Sequence, residues 1–263
     1  MRVLITGCSS GFGRCAAVEL AQRGHAVVAT ARRVDALADL DVAQKLSLDV
    51  DREESVRAAV AQAGEIDALV NNAGWSANGP IEKVPLDDVR RMFETNFFGA
   101  ARMIQAIVPG MRARKRGVVV NVTSLAGRVA PPLSGYYAAT KFALEALSEA
   151  LHLELGHFGI RVAIIEPGYV QSSFRANSTS HGIDEPPYDE LQEIWSRSDE
   201  TLLGGSRPEP AIAGVAIADA VEGKREDLRW PVGKDAELVT KARASMDDVA
   251  FENAMRSMLK MEW

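Results

Sequence analysis

Short apolar runs alternate with stretches whose apolar positions recur every three to four residues. The runs at Arg2–Ile5, 26–30, 46–48, 68–70, Gly117–Val122 and 162–165 read as strands. The stretches at 11–23, 53–62, 86–113 and 136–155 carry a helical period, and 34–39 a weaker one. Strand and helix taking turns in this way predict a parallel sheet covered by helices. Residues 118–120 are apolar throughout, as expected of a strand covered on both faces. The expected fold class is α/β, a Rossmann-type doubly wound parallel sheet of about seven strands in a single domain spanning 1–263.

After Pro167 the regularity stops. Residues 172–187 are rich in Ser, Asn, Gly and Pro, and a helical piece follows at 188–203. So irregular a segment inside a compact domain is usually functional or mobile, which marks about 172–207 as a substrate-loop region. Helical patterning returns at 210–221, a last strand is expected at 228–232, and 236–260 reads as one or two helices. Neither an internal repeat nor a low-complexity linker divides the chain.

Composition narrows the class. The length of 263 residues suffices to bury a sheet under helices. Apolar residues make up 47% and charged residues 25%, an ordinary soluble balance. The net charge of −6 offers no basic face for nucleic acid. Cys8 and Cys15 fall in or just after a glycine-rich turn, too early to staple a fold, and read as reduced thiols. The chain opens on a strand-like run with no signal peptide ahead of it, and no apolar stretch approaches the roughly 20 residues of a membrane span. A soluble cytoplasmic protein without a membrane partner is expected. His25, His152, His157 and His181 show no HxxxH spacing and the cysteines no CxxC, so no metal is expected.

The first candidate chemistry lies where the first strand meets the first helix, at Thr6-Gly7-Cys8-Ser9-Ser10-Gly11-Phe12-Gly13. Side chains at Gly7, Gly11 or Gly13 would block a tight turn or hold the backbone away from a diphosphate. The helix behind the turn aims its free amides and positive dipole end at the same place. The spacing is GxxxGxG, which differs from the general GxGxxG dinucleotide fingerprint.

The second strand ends Ala29-Thr30-Ala31-Arg32-Arg33. Folds that bind NAD usually place an acid there for the ribose 2′-hydroxyl; here Ala31 stands in that position. A guanidinium at Arg32 suits a 2′-phosphate, with Ser9 or Ser10 as a hydroxyl partner, and an acid would repel it. The expected cofactor is NADP(H). Asp49, with Val50 beside it after the third strand, reads either as an adenine contact or as a loop acid.

Tyr137 and Lys141 lie four apart on one helix and so share a face. A phenol with a pKa near ~10 is a poor base at neutral pH, and a cation beside it lowers that value. Tyr137 then acts as general acid in reduction and general base in oxidation. Ser124 ends the fifth main strand thirteen residues earlier, at the carboxyl edge where such sheets hold ligands. Its hydroxyl is placed to orient a substrate oxygen.

Thr6 to Gly13, Asn71-Asn72-Ala73-Gly74, Ser124, Tyr137 with Lys141, and Pro167-Gly168 together resemble the short-chain dehydrogenase/reductase family, in order and at family spacing, strongly over 1–173. The glycine turn and the Ala-Thr-Ala-Arg-Arg strand end look most like the branch of hydroxysteroid and retinol dehydrogenases. The resemblance implies that Asn72, Ala73 and Gly74 line the adenosine side. It implies that Asn96 completes the catalytic set by holding a water behind Lys141. It further implies that Pro167, Gly168, Val170 and Ser172 pass the nicotinamide, and that the protein is a homodimer or homotetramer. Trp75 and Phe174, next to these motifs, are candidate pocket walls, while Trp195 reads as packing.

The expected activity is hydride transfer between NADP(H) and a carbonyl or alcohol, on a small and lipophilic substrate. Two rival readings remain at this level. One is a non-catalytic NADP(H)-binding sensor or interaction protein on the same fold. The other is an epimerase-like enzyme, for which about ninety residues after Ser173 are few.

Overall fold

The computed structural model describes residues 1–171, 174, 178–204 and 206–261. Its strands are β1 (Arg2–Ile5), β2 (Ala26–Ala31), β3 (Gln44–Ser47), β4 (Ala68–Asn71), β5 (Ala77–Asn78), β6 (Gly117–Val122), β7 (Ile160–Pro167), β8 (Thr179–Ser180) and β9 (Arg229–Val232). Seven of them form one parallel sheet in the order β3-β2-β1-β4-β6-β7-β9. The doubly wound fold read from the alternation is the fold observed. Strand order reverses between β1 and β4, which opens a crevice beyond their carboxyl ends.

The helices are α1 (Gly11–Gln22), α2 (Glu53–Ala63), α3 (Leu86–Phe93), α4 (Ala100–Arg114), α5 (Gly135–Gly156), α6 (Tyr188–Ser196), α7 (Ser198–Leu203), α8 (Ala211–Glu222), α9 (Lys234–Ser245) and α10 (Asp248–Leu259). Alternate residues of a strand face opposite sides. On β1, Val3 and Ile5 pack with Ala17 and Leu20 of α1 and Ile217 of α8. Leu4, between them, packs on the other face with Val56 of α2, Met103 and Ile107 of α4, and Leu151 of α5. Leu4, Ile5 and Leu69 are fully buried, each contributing about 1.5–3 kcal/mol by leaving water. The rigid sheet so formed fixes the crevice.

Three expectations are corrected in detail. The single helix over 86–113 is α3, a π-helical turn at Glu94–Gly99, and α4. A wider turn interrupts the helix without disturbing its apolar face, so the period does not reveal it. The weak helix at 34–39 is a 3₁₀ turn, Val34–Leu37. The helical piece at 188–203 divides into α6 and α7. Unforeseen is the pairing of β5 with β8, which ties the irregular segment to the chain that follows β4.

Candidate functional site

The glycine turn lies at the mouth of the crevice. Gly7 (φ 74°) and Gly11 (φ 60°) adopt left-handed backbone that other residues resist. A Cβ on Gly13 would collide with the Asn72 amide and stand 2.6 Å from the Gly7 carbonyl. The contact is close because Asn72 laces the turn to β4. Its Nδ2 donates to the carbonyls of Thr6 (2.9 Å) and Gly7 (3.1 Å). The Thr6 hydroxyl accepts from the backbone N–H groups of Asn72 (2.9 Å) and Ala73 (3.0 Å).

Ser10 caps α1 without a side-chain bond to the helix, and the first turn of α1 carries no acid. The free amides and dipole end therefore meet no negative side chain of that turn, which fits a diphosphate. Ala31 ends β2 buried, and Arg32 and Arg33 are exposed beyond it. Asp49 forms an Asx turn, its Oδ1 accepting from the Asp51 N–H at 3.2 Å, while Val50 is buried against the Gly99 backbone.

Tyr137 and Lys141 lie on one face of α5, with Ser124 at the end of β6 opposite them. The Ser124 side chain lies beside the Tyr137 hydroxyl and favours its anion, while its own hydroxyl donates to the Pro167 carbonyl at 3.4 Å. Ser124 also caps a 3₁₀ turn, Leu125–Gly127, its Oγ accepting from the Ala126 N–H at 3.1 Å. The Lys141 ammonium stands 5.7 Å from the centre of the Tyr137 ring and donates to the Val122 carbonyl at 3.0 Å. Burial holds the lysine down at about 8 while the carboxylate of Glu145 opposes that shift.

Burial pushes Tyr137 up to about 12, only partly offset by Ser124. Desolvation disfavours the anion. Tyr137 thus holds its proton at neutral pH, as a general acid must.

Asn96 sits in the π-helical turn, buried. Its Nδ2 donates to the Trp75 carbonyl (2.9 Å) and to the Thr140 hydroxyl (3.0 Å), and its Oδ1 accepts from the Trp75 N–H (3.0 Å). A Cβ on Gly74 would lie 3.0 Å from Asn96 Oδ1 and 3.8 Å from Lys141 Nζ. Gly74 is therefore the point at which the Asn96 amide and the Lys141 ammonium converge. Asn71, buried, donates to Asn121 (2.9 Å), which donates in turn to Ser148 (2.7 Å), so a polar ladder joins β4, β6 and α5.

At the end of β7, Gly168 donates its N–H to the Val232 carbonyl at 3.0 Å, and Val170 donates to the Gly168 carbonyl at 3.0 Å. The Tyr169 N–H donates to the buried Asp235 carboxylate at 2.6 Å, and a Cβ on Gly168 would strike that carboxylate. Pro167, Gly168 and Val170 thus line the same sheet edge as Ser124; Ser172 lies outside the described residues. Phe174 places its ring 5.5 Å from that of Tyr137, and Trp75, Tyr136 and Tyr137 each pack against the buried Ala77, Val84 and Met92.

Sequence reasoning missed Thr6, Thr140, Asp235 and Glu145. All four act by holding other residues. Thr6 adjoins the turn and Thr140 lies between Tyr137 and Lys141, so both carried a local signal. Asp235, distant in sequence from Tyr169, carried none.

A parallel sheet with a glycine turn at its switch point and a Tyr, Lys and Ser set beside it defines a dinucleotide-binding α/β protein built for proton and hydride chemistry. The comparisons give the family. Residues 1–182 match the short chain dehydrogenase family, and the chain belongs to it, a family of oxidoreductases that bind a nicotinamide cofactor. The chain is 34% identical to a 3-ketodihydrosphingosine reductase of Bacteroides thetaiotaomicron, over 97% of this chain and 96% of that one. It is 34% identical to retinol dehydrogenase 8 of Homo sapiens, over 86% of this chain and 79% of that one. A crystal structure of a short-chain dehydrogenase from Streptomyces avermitilis superposes with a TM-score of 0.83 at 34% identity, over 98% and 96% of the two chains. Among the described residues no helix is long and apolar enough to cross a membrane.

Proposed function

We propose that this chain is an NADP(H)-dependent carbonyl reductase or alcohol dehydrogenase acting on a lipophilic small molecule. The observation that carries the reading is the Tyr137 hydroxyl, beside Ser124 and backed by Lys141, at the carboxyl edge of the sheet. When bound, the nicotinamide exchanges hydride with the substrate carbon. Tyr137 delivers a proton to the carbonyl oxygen, or removes it in oxidation. Ser124 donates a hydrogen bond to that oxygen as its charge grows. Lys141 stabilises the phenolate left behind, and Asn96 fixes the wall that Lys141 faces.

Gly7, Ser9, Ser10, Gly11, Phe12 and Gly13 take the diphosphate, and Arg32 takes the 2′-phosphate. Asp49, Val50, Asn72, Ala73 and Gly74 line the adenosine side, while Pro167, Gly168, Val170 and Ser172 serve the nicotinamide. Residues 1–263 act as one domain, with the region 172–207 closing the substrate side. The Phe174 ring beside Tyr137, and Trp75 on the same small apolar cluster as Tyr137, support an apolar substrate. So does the likeness to a 3-ketodihydrosphingosine reductase and to a retinol dehydrogenase. Exposed Phe98, Phe142 and Leu153, on and next to α4 and α5, support a homo-oligomer. The composition supports a soluble cytoplasmic enzyme.

The test follows NADPH and NADH oxidation at the nicotinamide absorbance band across long-chain keto, retinoid, steroid and aromatic carbonyls. Tyr137→Phe is expected to lose about 10²–10⁴-fold in kcat while still binding NADPH. Unchanged turnover in that variant overturns the assignment.

A further inference from the structure

A buried acidic cluster lies one turn beyond Lys141. Glu145 of α5 is 4% exposed and Glu166 of β7 is fully buried. Glu145 Oε1 accepts the hydroxyl hydrogen of Thr123 at 2.6 Å, and its Oε2 accepts from Arg229 of β9 at 3.1 Å. Glu166 Oε1 accepts from Arg128 at 3.0 Å and lies 3.6 Å from Arg229. Arg229 also reaches Glu149 at 3.2 Å. A carboxylate taken out of water at this depth costs several kcal/mol unless it is paired, so its location calls for a reason.

The reason lies in what Glu145 touches. Thr123 immediately precedes Ser124. Lys141 Nζ grips the Val122 carbonyl and Glu145 grips the Thr123 side chain, so α5 holds the end of β6 at two successive residues just before Ser124. The turn that follows Ser124 rests on the same side chain: a Cβ on Gly127 would sit 3.0 Å from Glu145 Cγ. Tyr137, on the same helix, is thereby held in register with Ser124.

We propose that Glu145 is a positioning residue for the reaction, fixing Ser124 against Tyr137 through Thr123 and keeping Lys141 cationic through its charge. The proposal rests on the catalytic reading of Tyr137, Ser124 and Lys141. The groups that face Glu145 are Lys141 and Glu149 on α5, Glu166 on β7 and Arg229 on β9, with Arg128 bound to Glu166. Lys141 is the cation on the catalytic side. Burial already depresses its pKa to about 8, and the Glu145 carboxylate works against that fall. Removing the charge lets Lys141 lose its proton at lower pH.

The experiment compares Glu145→Gln, which keeps the shape and an acceptor but drops the charge, with Thr123→Val, which drops the bond but keeps the charge. Two readouts are taken across pH 6 to 10: kcat, and NADPH affinity by nicotinamide fluorescence. Glu145→Gln is expected to move the alkaline limb of both towards acid by on the order of one pH unit. Thr123→Val is expected to lower kcat between about ten- and a hundredfold through misplacement. Losing the bond that lowers the Glu145 carboxyl also raises that group, so the limb of this variant moves in the same direction but by less than in Glu145→Gln. Wild-type kcat in Thr123→Val, or an unmoved limb in Glu145→Gln, overturns the proposal. Should the wild type turn over no carbonyl, the reductase reading falls, and the binding limb still decides whether Glu145 holds the charge on Lys141.

Discussion

The two flanks of the crevice are built in different ways. The cofactor flank, from β1 to β4, is mostly backbone: glycines in special conformations, free amides of α1, and the Thr6 and Asn72 bonds that fasten the turn. The substrate flank joins side chains far apart in the chain. Ser76 meets Ser178 at 2.7 Å, His181 meets Asp88 at 2.9 Å, Tyr188 meets Glu82 at 3.1 Å, and β5 pairs with β8. Backbone geometry forces particular residues into a short motif. Side-chain latches need only a complementary partner, and many pairs serve. On the proposed reading, the cofactor constrains the first flank and the second is free to vary with the substrate.

The sharpest way to break this comparison is to put a side chain into the cofactor flank. Gly13→Val drives methyl groups into the Asn72 amide and the Gly7 carbonyl. Overpacking of this kind costs about 1–3 kcal/mol, and the turn must open to relieve it. NADPH affinity, measured by fluorescence titration, is expected to fall more than about a hundredfold with a lower melting temperature. Native affinity in that variant would show that the turn is not where the diphosphate binds.

Charge at the end of β2 gives the next largest effect. Arg32→Ala removes a charged hydrogen bond worth about 1.5–3 kcal/mol, so kcat/KM with NADPH is expected to fall roughly ten- to a hundredfold while that with NADH changes little. Ala31→Asp adds repulsion to the loss and is expected to invert the preference. Equal losses with both cofactors would remove Arg32 from the 2′-phosphate site.

These residues were legible because the physics that selects them is local. A turn at a strand end needs glycine, and a tyrosine and lysine four apart share a helix face whatever surrounds them. The strands were legible for the same reason: Val118, Val119 and Val120 are buried on both faces and all apolar. What escaped detection depends on distance or on a broken period. The π-helical turn around Asn96 shifts one helical register without changing the apolar face. Asp235 holds Tyr169 across 66 positions of sequence.

The substrate flank sharpens the comparison from the other side. Its latches are partly exposed: His181 keeps 26% of its side-chain surface and Asp88 17%. Pairs nearer the surface contribute about 0.2–1 kcal/mol each. Removing two, as His181→Ala with Ser76→Ala, is expected to loosen the segment after β7 and raise KM for the carbonyl substrate a few-fold. The cofactor flank shares none of these bonds, so NADPH affinity is expected to stay within about twofold of wild type. Steady-state kinetics with the substrate varied, beside the fluorescence titration, separates the two flanks. A fall in NADPH affinity equal to the rise in KM would mean that the latch holds both ligands, and the division between the flanks would not stand.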